Sequence, residues 1–357
     1  AGKGTFAAAW CASNEKAIPD NQIASAFVWK AAAHVKQAGH VCFVLPHGIL
    51  FNHGDNAVSF QKAWASQNQL EWVLNLADLR YFLFNEAIHP AVVIRYRPTA
   101  STSDSEIEYL APKADWQIMF GEVVTVPSSD RSSFTTSELL DDLNGPDAPQ
   151  LWTQRFWGSP RDQRLIDRLS LFPRLRDRVK RPSDGPDTTK AWIIAEGFQP
   201  LGANDDQKSA KTISLPSALF IPAKSKDIDL FLLPGDCEEL PQREVELRNR
   251  SNTNVHVFEA PHVLITKGFQ RIAFADFDVS FRHALRGIHG PKADRELLAF
   301  LAAYLRTPLA QFFMFHTSSN WGIYRPEVHV QELLRLPMPM PDDLPNPKRA
   351  QAIVKQV

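Results

Sequence analysis

The residue type with the clearest chemical pattern is arginine, which is concentrated between residues 155 and 181. This segment holds nine Arg or Lys residues against three Asp residues, in a chain whose net charge is −1. Arg161, Arg164 and Arg168 recur at three- and four-residue spacing, so a helix would place them on one face. That face, together with Arg155, suits the phosphates of a nucleic acid, which give salt-dependent affinity. A solvated helix stabilised by Asp–Arg pairs is the alternative.

Aromatic residues lead into the arginine-rich segment. Trp152, Phe156 and Trp157 lie directly before it or at its start. Aromatic rings beside arginines can stack on nucleic-acid bases. They can equally anchor a basic helix in a hydrophobic core, and we favour this second interpretation.

A polar run at residues 317–325 follows a long apolar segment. It contains Asn320 and Arg325, side chains that suit contacts with base edges and with phosphates. The alternative is an ordinary loop that ends a helix. Three further cations are weaker candidates for the same role: Lys267, Arg271 and Arg282.

Two histidines lie in the segment HGILFNHGDN, which follows a predicted strand at residues 41–46. Open α/β sheets bind ligands outside the carboxyl ends of their strands. This loop therefore either borders a binding cleft or is an ordinary surface loop. The spacing of His47, His53 and Asp55 fixes no metal geometry, and the three cysteines form no CxxC pair, so no metal site is predicted.

The elements that must position these residues alternate between helix and strand in the first hundred residues. Apolar residues at helical spacing predict a helix from Ile23 to Val35 with Asp20 as its N-cap. The run VCFVLP predicts a strand that is buried on both faces of a parallel sheet. A helix at 58–67 and strands at 70–76 and 90–98 follow, and this alternation is typical of an α/β sheet.

Short strands between turns are predicted beyond the polar stretch at residues 99–105. They are expected at 107–110, 122–126, 191–198, 217–223, 228–234 and 262–269. Helical periodicity returns at residues 294–315, where Pro308 is expected to divide the helix in two. The tail is rich in proline, and its last residues, KRAQAIVKQV, can restart a helix.

The composition is that of an ordinary globular protein, with 44% hydrophobic and 22% charged residues. No run of 18 apolar residues and no signal-peptide core is present, so a cytoplasmic location without a membrane anchor is expected. The opening AGKGT lacks both the spacing and the preceding strand of a phosphate-binding loop.

Taken in order, several stretches resemble the N6-adenine DNA methyltransferases of restriction–modification systems. In the first part these are AFVWKAAAHVKQAGHVCFVLPHGILF, FQKAW, LEWVLNL and LRYFLFNEAIHPAVVIRYRP. Near the end, PHVLITKGFQRIAF, LLAFLAAYLRTPLAQFFMFHTSSNWG and YRPEVHVQELLRLPMPMP resemble the target-recognition regions of these enzymes. The matched stretches cover roughly half of the chain.

The resemblance implies an α/β fold: the second half of a Rossmann-like, S-adenosylmethionine-dependent methyltransferase sheet, followed by a mixed α+β target-recognition domain. It implies a division into residues 1–98 of the catalytic domain, 99–150 as a connecting region, 151–340 for DNA recognition and 341–357 as a proline-rich tail. Double-stranded DNA and other subunits of a restriction or phage-defence complex are the implied partners.

Two motifs of the family are missing from this sequence. The family binds S-adenosylmethionine on a glycine-rich turn and holds the target base at an Asn/Asp-Pro-Pro-aromatic motif, and neither is present. The cofactor is therefore expected to be bound mainly by residues outside this chain, which alone should be inactive. The family position that stacks on the extruded base corresponds to Phe84, with Phe82 and Tyr81 as fallbacks, and core packing is the alternative for all three. A non-catalytic specificity subunit or a degenerate methylase remains the alternative function.

Overall fold

A computed structural model describes most of the chain. It covers residues 4–19, 22–36, 38–83, 86, 89–121, 123–147, 149–181, 184, 190–202, 211–222, 229–248 and 253–357. The predicted N-cap Asp20 and the predicted base-stacking residue Phe84 lie outside these residues. The chain divides into two compact units, the first comprising residues 1–164 and 316–325 and the second residues 165–315 and 326–357.

The first unit is built on one mixed sheet with helices. Its strands are β1 (Val41–Pro46), β2 (Gln69–Asn75), β3 (Ala91–Arg97), β4 (Glu106–Leu110) and β5 (Arg131–Thr135). Its helices are α1 (Phe6–Ser13), α2 (Ile23–His34), α3 (Gly48–Phe51), α4 (Asp55–Gln67), α5 (Arg80–Leu83), α6 (Trp116–Gly121), α7 (Thr136–Asn144) and α8 (Leu151–Trp157). Helix α9 (Pro160–Leu169) follows and runs into the second unit.

The strand order of this sheet is β1-β3-β2-β4-β5. Strand β3 runs antiparallel to both β1 and β2, so those two strands are parallel to each other. Helices α3 and α4 make the crossover that parallel strands require, whereas the described part of the β2–β3 connection contains only the short helix α5. The expectation of parallel strands is therefore wrong for β3, and the fold is a mixed α/β fold with several mixed sheets.

The core of the first unit lies between the sheet and α2 and α4. Phe60 and Trp64 lie one turn apart on α4 and are almost completely buried, as are Val73 and Tyr96 of the sheet. The Tyr96 hydroxyl donates to the carbonyl of Val28 at 2.6 Å, which ties β3 to α2. Each buried side chain of this size contributes about 1.5–3 kcal/mol through removal of apolar surface from water.

Strand β1 does not have the two-sided burial that its continuous apolar sequence predicts. Val41 and Leu45 are buried, but Cys42 is exposed and Val44 is 61% exposed. The reason is position, because β1 is the edge strand and pairs with β3 alone among the described strands. The continuous run of apolar residues correctly predicted a strand. It did not predict which strands of this chain lie beside it in the sheet.

The second unit contains a five-stranded sheet of order β13-β12-β15-β7-β6 and two smaller sheets. Its strands are β6 (Val179–Lys180), β7 (Trp192–Glu196), β8 (Lys211–Ser214), β9 (Leu219–Ile221), β10 (Glu238–Glu239), β11 (Glu244–Leu247), β12 (His262–Thr266), β13 (Ile272–Ala275), β14 (Ser280–Phe281) and β15 (Leu285–His289). The helices α10 (Arg295–Leu305), α11 (Pro308–Thr317), α12 (Val330–Leu333) and α13 (Pro347–Val354) follow, of which α10 packs on β12 and β13.

Most of the predicted helices and strands are confirmed, including the division at Pro308 and the helix in the tail. Two predicted strands are wrong. In the strand predicted at 122–126, the described residues 123–126 form no strand, and the polar sequence RSSFT at Arg131–Thr135 pairs with β4 instead. In the segment 228–234, Phe231 makes only an isolated bridge to Phe274.

Residues 99–150, expected as a connecting region, contribute β4, α6, β5 and α7 to the first unit. Their assignment to functional domains remains a prediction. Within the described residues, no single helix meets the length and hydropathy needed to cross a membrane. The segments Lys292–Leu305 and Pro308–Thr317 meet these length and hydropathy criteria only when they are taken together, and the pair is bent by 68°.

Candidate nucleic-acid interface

The carboxyl edge of the first sheet brings together three loops. Strands β1 and β2 are parallel and end there, and the antiparallel strand β3 begins there. His47 follows β1, and His89 and Pro90 precede β3. The His47 backbone N–H donates to the Pro90 carbonyl at 3.0 Å, so the loop after β1 and the loop before β3 lie against each other.

Tyr324 reaches this edge from a distant part of the sequence. The centroid of its ring lies 4.9 Å from that of His89 and 5.8 Å from that of His47. Its hydroxyl is 3.5 Å from Nε2 of His89. The segment 316–325 therefore belongs structurally to the first unit, although more than 150 residues separate it from the rest of that unit.

Arg325 adds a positive charge to this edge. Its guanidinium carbon lies 4.6 Å from the centroid of the Tyr324 ring, and its Nη2 donates to the Tyr324 hydroxyl at 2.8 Å. Because Arg325 is exposed, its remaining donors face solvent. An arginine held on an aromatic face can bind a phosphate while the ring offers a surface to a base.

Backbone hydrogen bonds form a turn within the segment 316–325. The Asn320 carbonyl accepts hydrogen bonds from the backbone N–H groups of Ile323, Tyr324 and Arg325, at 3.1, 2.8 and 3.2 Å. Gly322 has φ of +78°, a conformation that favours glycine. Trp157 of α8 donates from its indole nitrogen to the Gly322 carbonyl at 2.9 Å. The backbone of Asn320 thus organises the turn, and a base contact by its side chain remains a prediction.

His47 contributes a neutral ring to the edge. Burial, and to a smaller extent the neighbouring His89, lower its pKa to about 4, while a hydrogen bond to the backbone of Pro90 partly opposes this. At neutral pH the ring is therefore uncharged. It can act as a hydrogen-bonding and stacking group, and the positive charge of the edge comes from arginine.

The predicted helix in the arginine-rich segment is confirmed as α9. Its N-terminus is stabilised by Asp162, which accepts hydrogen bonds from the Ser159 N–H at 2.7 Å and the Ser159 hydroxyl at 2.6 Å. Ile166 is its buried residue, whereas Arg161, Arg164 and Arg168 are exposed. Exposure suits both DNA binding and a solvated helix, so phosphate contacts by these arginines remain a prediction.

The other cations of this segment are less available to a ligand. Arg155 on α8 is half-buried, and its Nε is buried. Arg174 is buried and donates to the carbonyls of Arg335 at 3.1 Å and Ser170 at 3.0 Å. Arg181 pairs with Asp184 at 2.9 Å. Only part of the positive charge that the sequence concentrates here can therefore face a nucleic acid.

The aromatic residues before α9 anchor it, as the favoured interpretation predicted. Trp152 and Phe156 are 1% and 3% exposed. The Trp152 ring packs 5.4 Å from Phe134 and 5.7 Å from Tyr109. These two rings belong to the core of the first unit and cannot stack on a base.

The fallback candidates for base stacking are surface residues. Tyr81 and Phe82, on α5, are 63% and 44% exposed. The guanidinium carbon of Arg80 lies 4.4 Å from the centroid of the Tyr81 ring. Core packing, the alternative interpretation for the aromatics before β3, therefore does not apply to these two, and base stacking by them remains a prediction.

Sequence reasoning missed an apolar projection beside α5. Trp116 and Phe120 of α6 are 68% and 83% exposed. The carboxylate of Asp115 accepts from the Ile118 N–H at 3.2 Å and from the Thr125 hydroxyl at 2.7 Å, which holds α6 and the segment after it together. The Ala114 N–H donates to Asp78 at 2.7 Å, next to α5. The available signal was the apolar run WQIMF directly after Asp115.

Other sites considered from the sequence have structural explanations. Lys267 forms an ion pair with Glu196 at 2.9 Å. Arg282 lies with its guanidinium carbon 5.9 Å from the Phe220 ring. His53 is buried, and Asp55 begins α4. Across the described ranges, no group of three or more His, Cys, Asp or Glu residues is arranged to hold a metal ion.

The described residues do not form an S-adenosylmethionine site of the glycine-rich type. At the carboxyl edge, β1 ends at Pro46 and is followed by His47 and Gly48, and β2 is followed by a turn at residues 77–79. Gly4, with φ of +81°, precedes α1 and follows no described strand.

Comparisons with known proteins return remote likenesses. No protein-family model matches the sequence, and a search of curated proteins finds no relative. Among solved structures, the type IIG restriction endonuclease BpuSI matches 94% of this chain and 44% of its own length, with 12% identity and a TM-score of 0.34. A type I restriction–modification methyltransferase subunit from Streptococcus thermophilus matches 35% of this chain and 25% of its own, with 19% identity and a TM-score of 0.23.

The HsdS subunit from Thermoanaerobacter tengcongensis is also similar, over 55% of this chain and 42% of its own, with 15% identity and a TM-score of 0.27. This chain spans less than half the length of each of these proteins. The first two are a restriction endonuclease and a restriction–modification methyltransferase subunit.

Proposed function

We propose that this chain is the DNA-binding, C-terminal portion of a DNA adenine-N6 methyltransferase of a restriction–modification or phage-defence system. The observation that carries the proposal is the meeting of Tyr324 and Arg325 with His47 and His89 at the carboxyl edge of the first sheet. Open α/β sheets bind ligands at this edge. An aromatic ring can stack on a nucleic-acid base, and an exposed arginine can contact a phosphate.

In this proposal the chain holds DNA, and residues outside it bind the methyl donor. S-adenosylmethionine would supply the methyl group that is transferred to the exocyclic amine of adenine. The far edge of β1, which none of the described strands covers, is where the remaining strands of the sheet would pair. The exposed side chain of Val44 would be covered by that addition.

Partner and location follow from the same proposal. Other subunits of a restriction or defence complex would assemble with this chain on double-stranded DNA. A chain that modifies cellular DNA would act in the cytoplasm.

Replacement of Arg325 tests the proposal. We expect Arg325→Ala to weaken binding to a DNA duplex by about 10- to 100-fold, because a hydrogen-bonded charge contributes about 1.5–3 kcal/mol. Fluorescence anisotropy across a range of salt concentrations measures both the affinity and its salt dependence. Tyr324→Phe should bind more tightly than Tyr324→Ala, because it keeps the ring.

A matched control is available for this experiment. Arg349 is an exposed arginine on α13 in the second unit, and Arg349→Ala should leave duplex binding unchanged. Wild-type affinity and an unchanged salt dependence in both Arg325→Ala and Tyr324→Ala would exclude this edge as a DNA contact.

The alternative is a non-catalytic specificity subunit or a degenerate methylase. It is favoured by the lack of an S-adenosylmethionine site of the glycine-rich type among the described residues. If the chain is part of a methyltransferase, the coding sequence upstream of Ala1 encodes an Asn/Asp-Pro-Pro-aromatic motif. The full-length protein then releases or absorbs heat when it is titrated with S-adenosylmethionine. If the motif is absent and saturating ligand gives no heat, the specificity-subunit function stands in its place.

A further inference from the structure

The turn at residues 320–325, which carries Tyr324 and Arg325, is fastened to α8 by an indole N–H. We propose that Trp157 is a positioning residue, which holds this turn so that Tyr324 and Arg325 lie at the carboxyl edge of the first sheet. This role rests on the proposed function, because a positioned arginine matters only where it meets a ligand. The order of the turn can nevertheless be measured without DNA.

Two hydrogen-bond donors of α8 meet two carbonyls of the segment 316–325. The Trp157 indole nitrogen donates to the Gly322 carbonyl at 2.9 Å. One helical turn earlier, the Thr153 hydroxyl donates to the Ser318 carbonyl at 3.3 Å. Helix α8 therefore fastens the segment at two points. The Trp157 bond is the shorter of the two, and its acceptor is the nearer in sequence to the side chains at the edge.

The Trp157 ring is itself held by its neighbours. It lies 4.8 Å from the ring of Phe156 at an interplanar angle of 75°, and Phe156 is buried. Nζ of Lys113 lies 5.2 Å from the centroid of the Trp157 ring. A side chain that is already fixed by packing loses little conformational entropy when it donates a hydrogen bond. Trp157 is therefore suited to hold another segment in place.

The contacts of the turn itself set its shape but leave its direction open. The hydrogen bonds to the Asn320 carbonyl lie within the turn. Ile323, which is 1% exposed, anchors the turn in the core of the first unit. An anchor at one residue would allow the turn to rotate about it. The indole bond to the adjacent Gly322 opposes this rotation and so fixes the direction in which Tyr324 and the arginine after it project.

Trp157→Phe tests the proposal, because it removes the N–H and keeps an aromatic ring. We expect binding to a DNA duplex to weaken by about two- to tenfold, since a neutral hydrogen bond that favours the binding-competent conformation is lost. The slope of log affinity against log salt should stay unchanged, because the bound state still contains the Arg325–phosphate contact. Arg325→Ala, by contrast, should reduce that slope by about 0.9. Fluorescence anisotropy at several salt concentrations measures both quantities.

Trp29→Phe is the matched control. The Trp29 indole N–H donates to the Ala17 carbonyl at 3.0 Å, and Nζ of Lys16 lies 4.7 Å from its ring, so the substitution removes the same kind of hydrogen bond from a similar ring. Neither contact involves the segment 316–325. Trp29→Phe should therefore bind duplex as the wild type does, even where it lowers the melting temperature. An equal loss of affinity in both variants would contradict a positioning role for Trp157.

Hydrogen exchange of the DNA-free protein, followed by mass spectrometry, measures the order of the turn directly. In Trp157→Phe, the amides of residues 323–325 should exchange about two- to tenfold faster than in the wild type, because local opening becomes easier. Trp29→Phe should leave their exchange unchanged. If Trp157→Phe folds poorly, Thr153→Val removes the other bond from α8 and should also speed this exchange. Wild-type exchange in the turn of the folded variant overturns the proposal.

A background that lacks both edge side chains separates positioning from other effects on binding. When Tyr324→Ala and Arg325→Ala are combined, adding Trp157→Phe should cause no further loss of affinity, because a positioning residue acts through those side chains. A further loss as large as in the wild-type background overturns the proposal. If the combined Tyr324 and Arg325 variant binds duplex as the wild type does, the proposed function fails, and the exchange rates alone then decide whether Trp157 positions the turn.

Discussion

Replacing Arg161, Arg164 and Arg168 together with alanine is expected to lower affinity for duplex DNA by about 100-fold or more at moderate salt. All three side chains are exposed along α9, and Ile166 is the residue through which this helix is buried. Each phosphate contact contributes about 0.9 to the slope of log affinity against log salt, so the slope should fall by about 2.7. Anisotropy titrations at several salt concentrations measure both quantities.

The fold should tolerate this triple replacement. Alanine is the best helix former, and the Ser159–Asp162 hydrogen bonds that stabilise the N-terminus of α9 are untouched. A control that removes the same charge is the triple alanine variant of Lys348, Arg349 and Lys355, which are exposed on and just after α13. If both triple variants show the same affinity and the same slope, α9 contributes only general charge and is not the DNA-binding face.

Trp152→Ala is expected to have the largest effect on stability, with a loss of about 3–5 kcal/mol in the free energy of unfolding of the first unit. The indole is buried against Phe134 and Tyr109. The Tyr109 hydroxyl donates to the Trp152 carbonyl at 3.1 Å and accepts from the Asn75 amide at 2.8 Å, which places the ring beside the end of β2. Urea unfolding followed by circular dichroism measures the change.

Trp116→Ala is the matched control for this prediction. The same indole is removed, but from a side chain that is 68% exposed on α6. Surface replacements usually change stability by less than about 0.5 kcal/mol. Equal losses in the two variants would show that Trp152 is not a packing anchor. A stable Trp116→Ala variant with weaker duplex binding would add α6 to the DNA-binding surface.

Local patterns predicted the elements of this protein well. Helical spacing of apolar residues located α2 and α4, and Pro308 separated α10 from α11, because side-chain periodicity and the missing proline N–H act within a few residues. The strand at Arg131–Thr135 could not be found in this way. It is polar on both sides of Phe134 and exists because β4 has a free edge to pair with.

The candidate site residues show the same difference between what local sequence patterns predict and what tertiary packing decides. The sequence identified Arg161, Arg164, Arg168 and Arg325 as cations available to a nucleic acid, and all four are exposed. The sequence did not show that Arg174 differs from these four arginines. In the structure, the Arg174 guanidinium donates hydrogen bonds to the carbonyls of Arg335 and Ser170. Solvent exposure depends on packing between distant segments, and residue type alone does not encode it.

By itself the sequence determined the alternation of helices and strands, the placement of the basic helix and the order of the segments. These properties depend on neighbours a few residues apart. The tertiary structure decided that β3 inserts antiparallel between β1 and β2, and that Tyr324 lies beside His47 and His89. Both depend on contacts between residues far apart in the chain, where burial and hydrogen bonding select one arrangement among many that the local patterns allow.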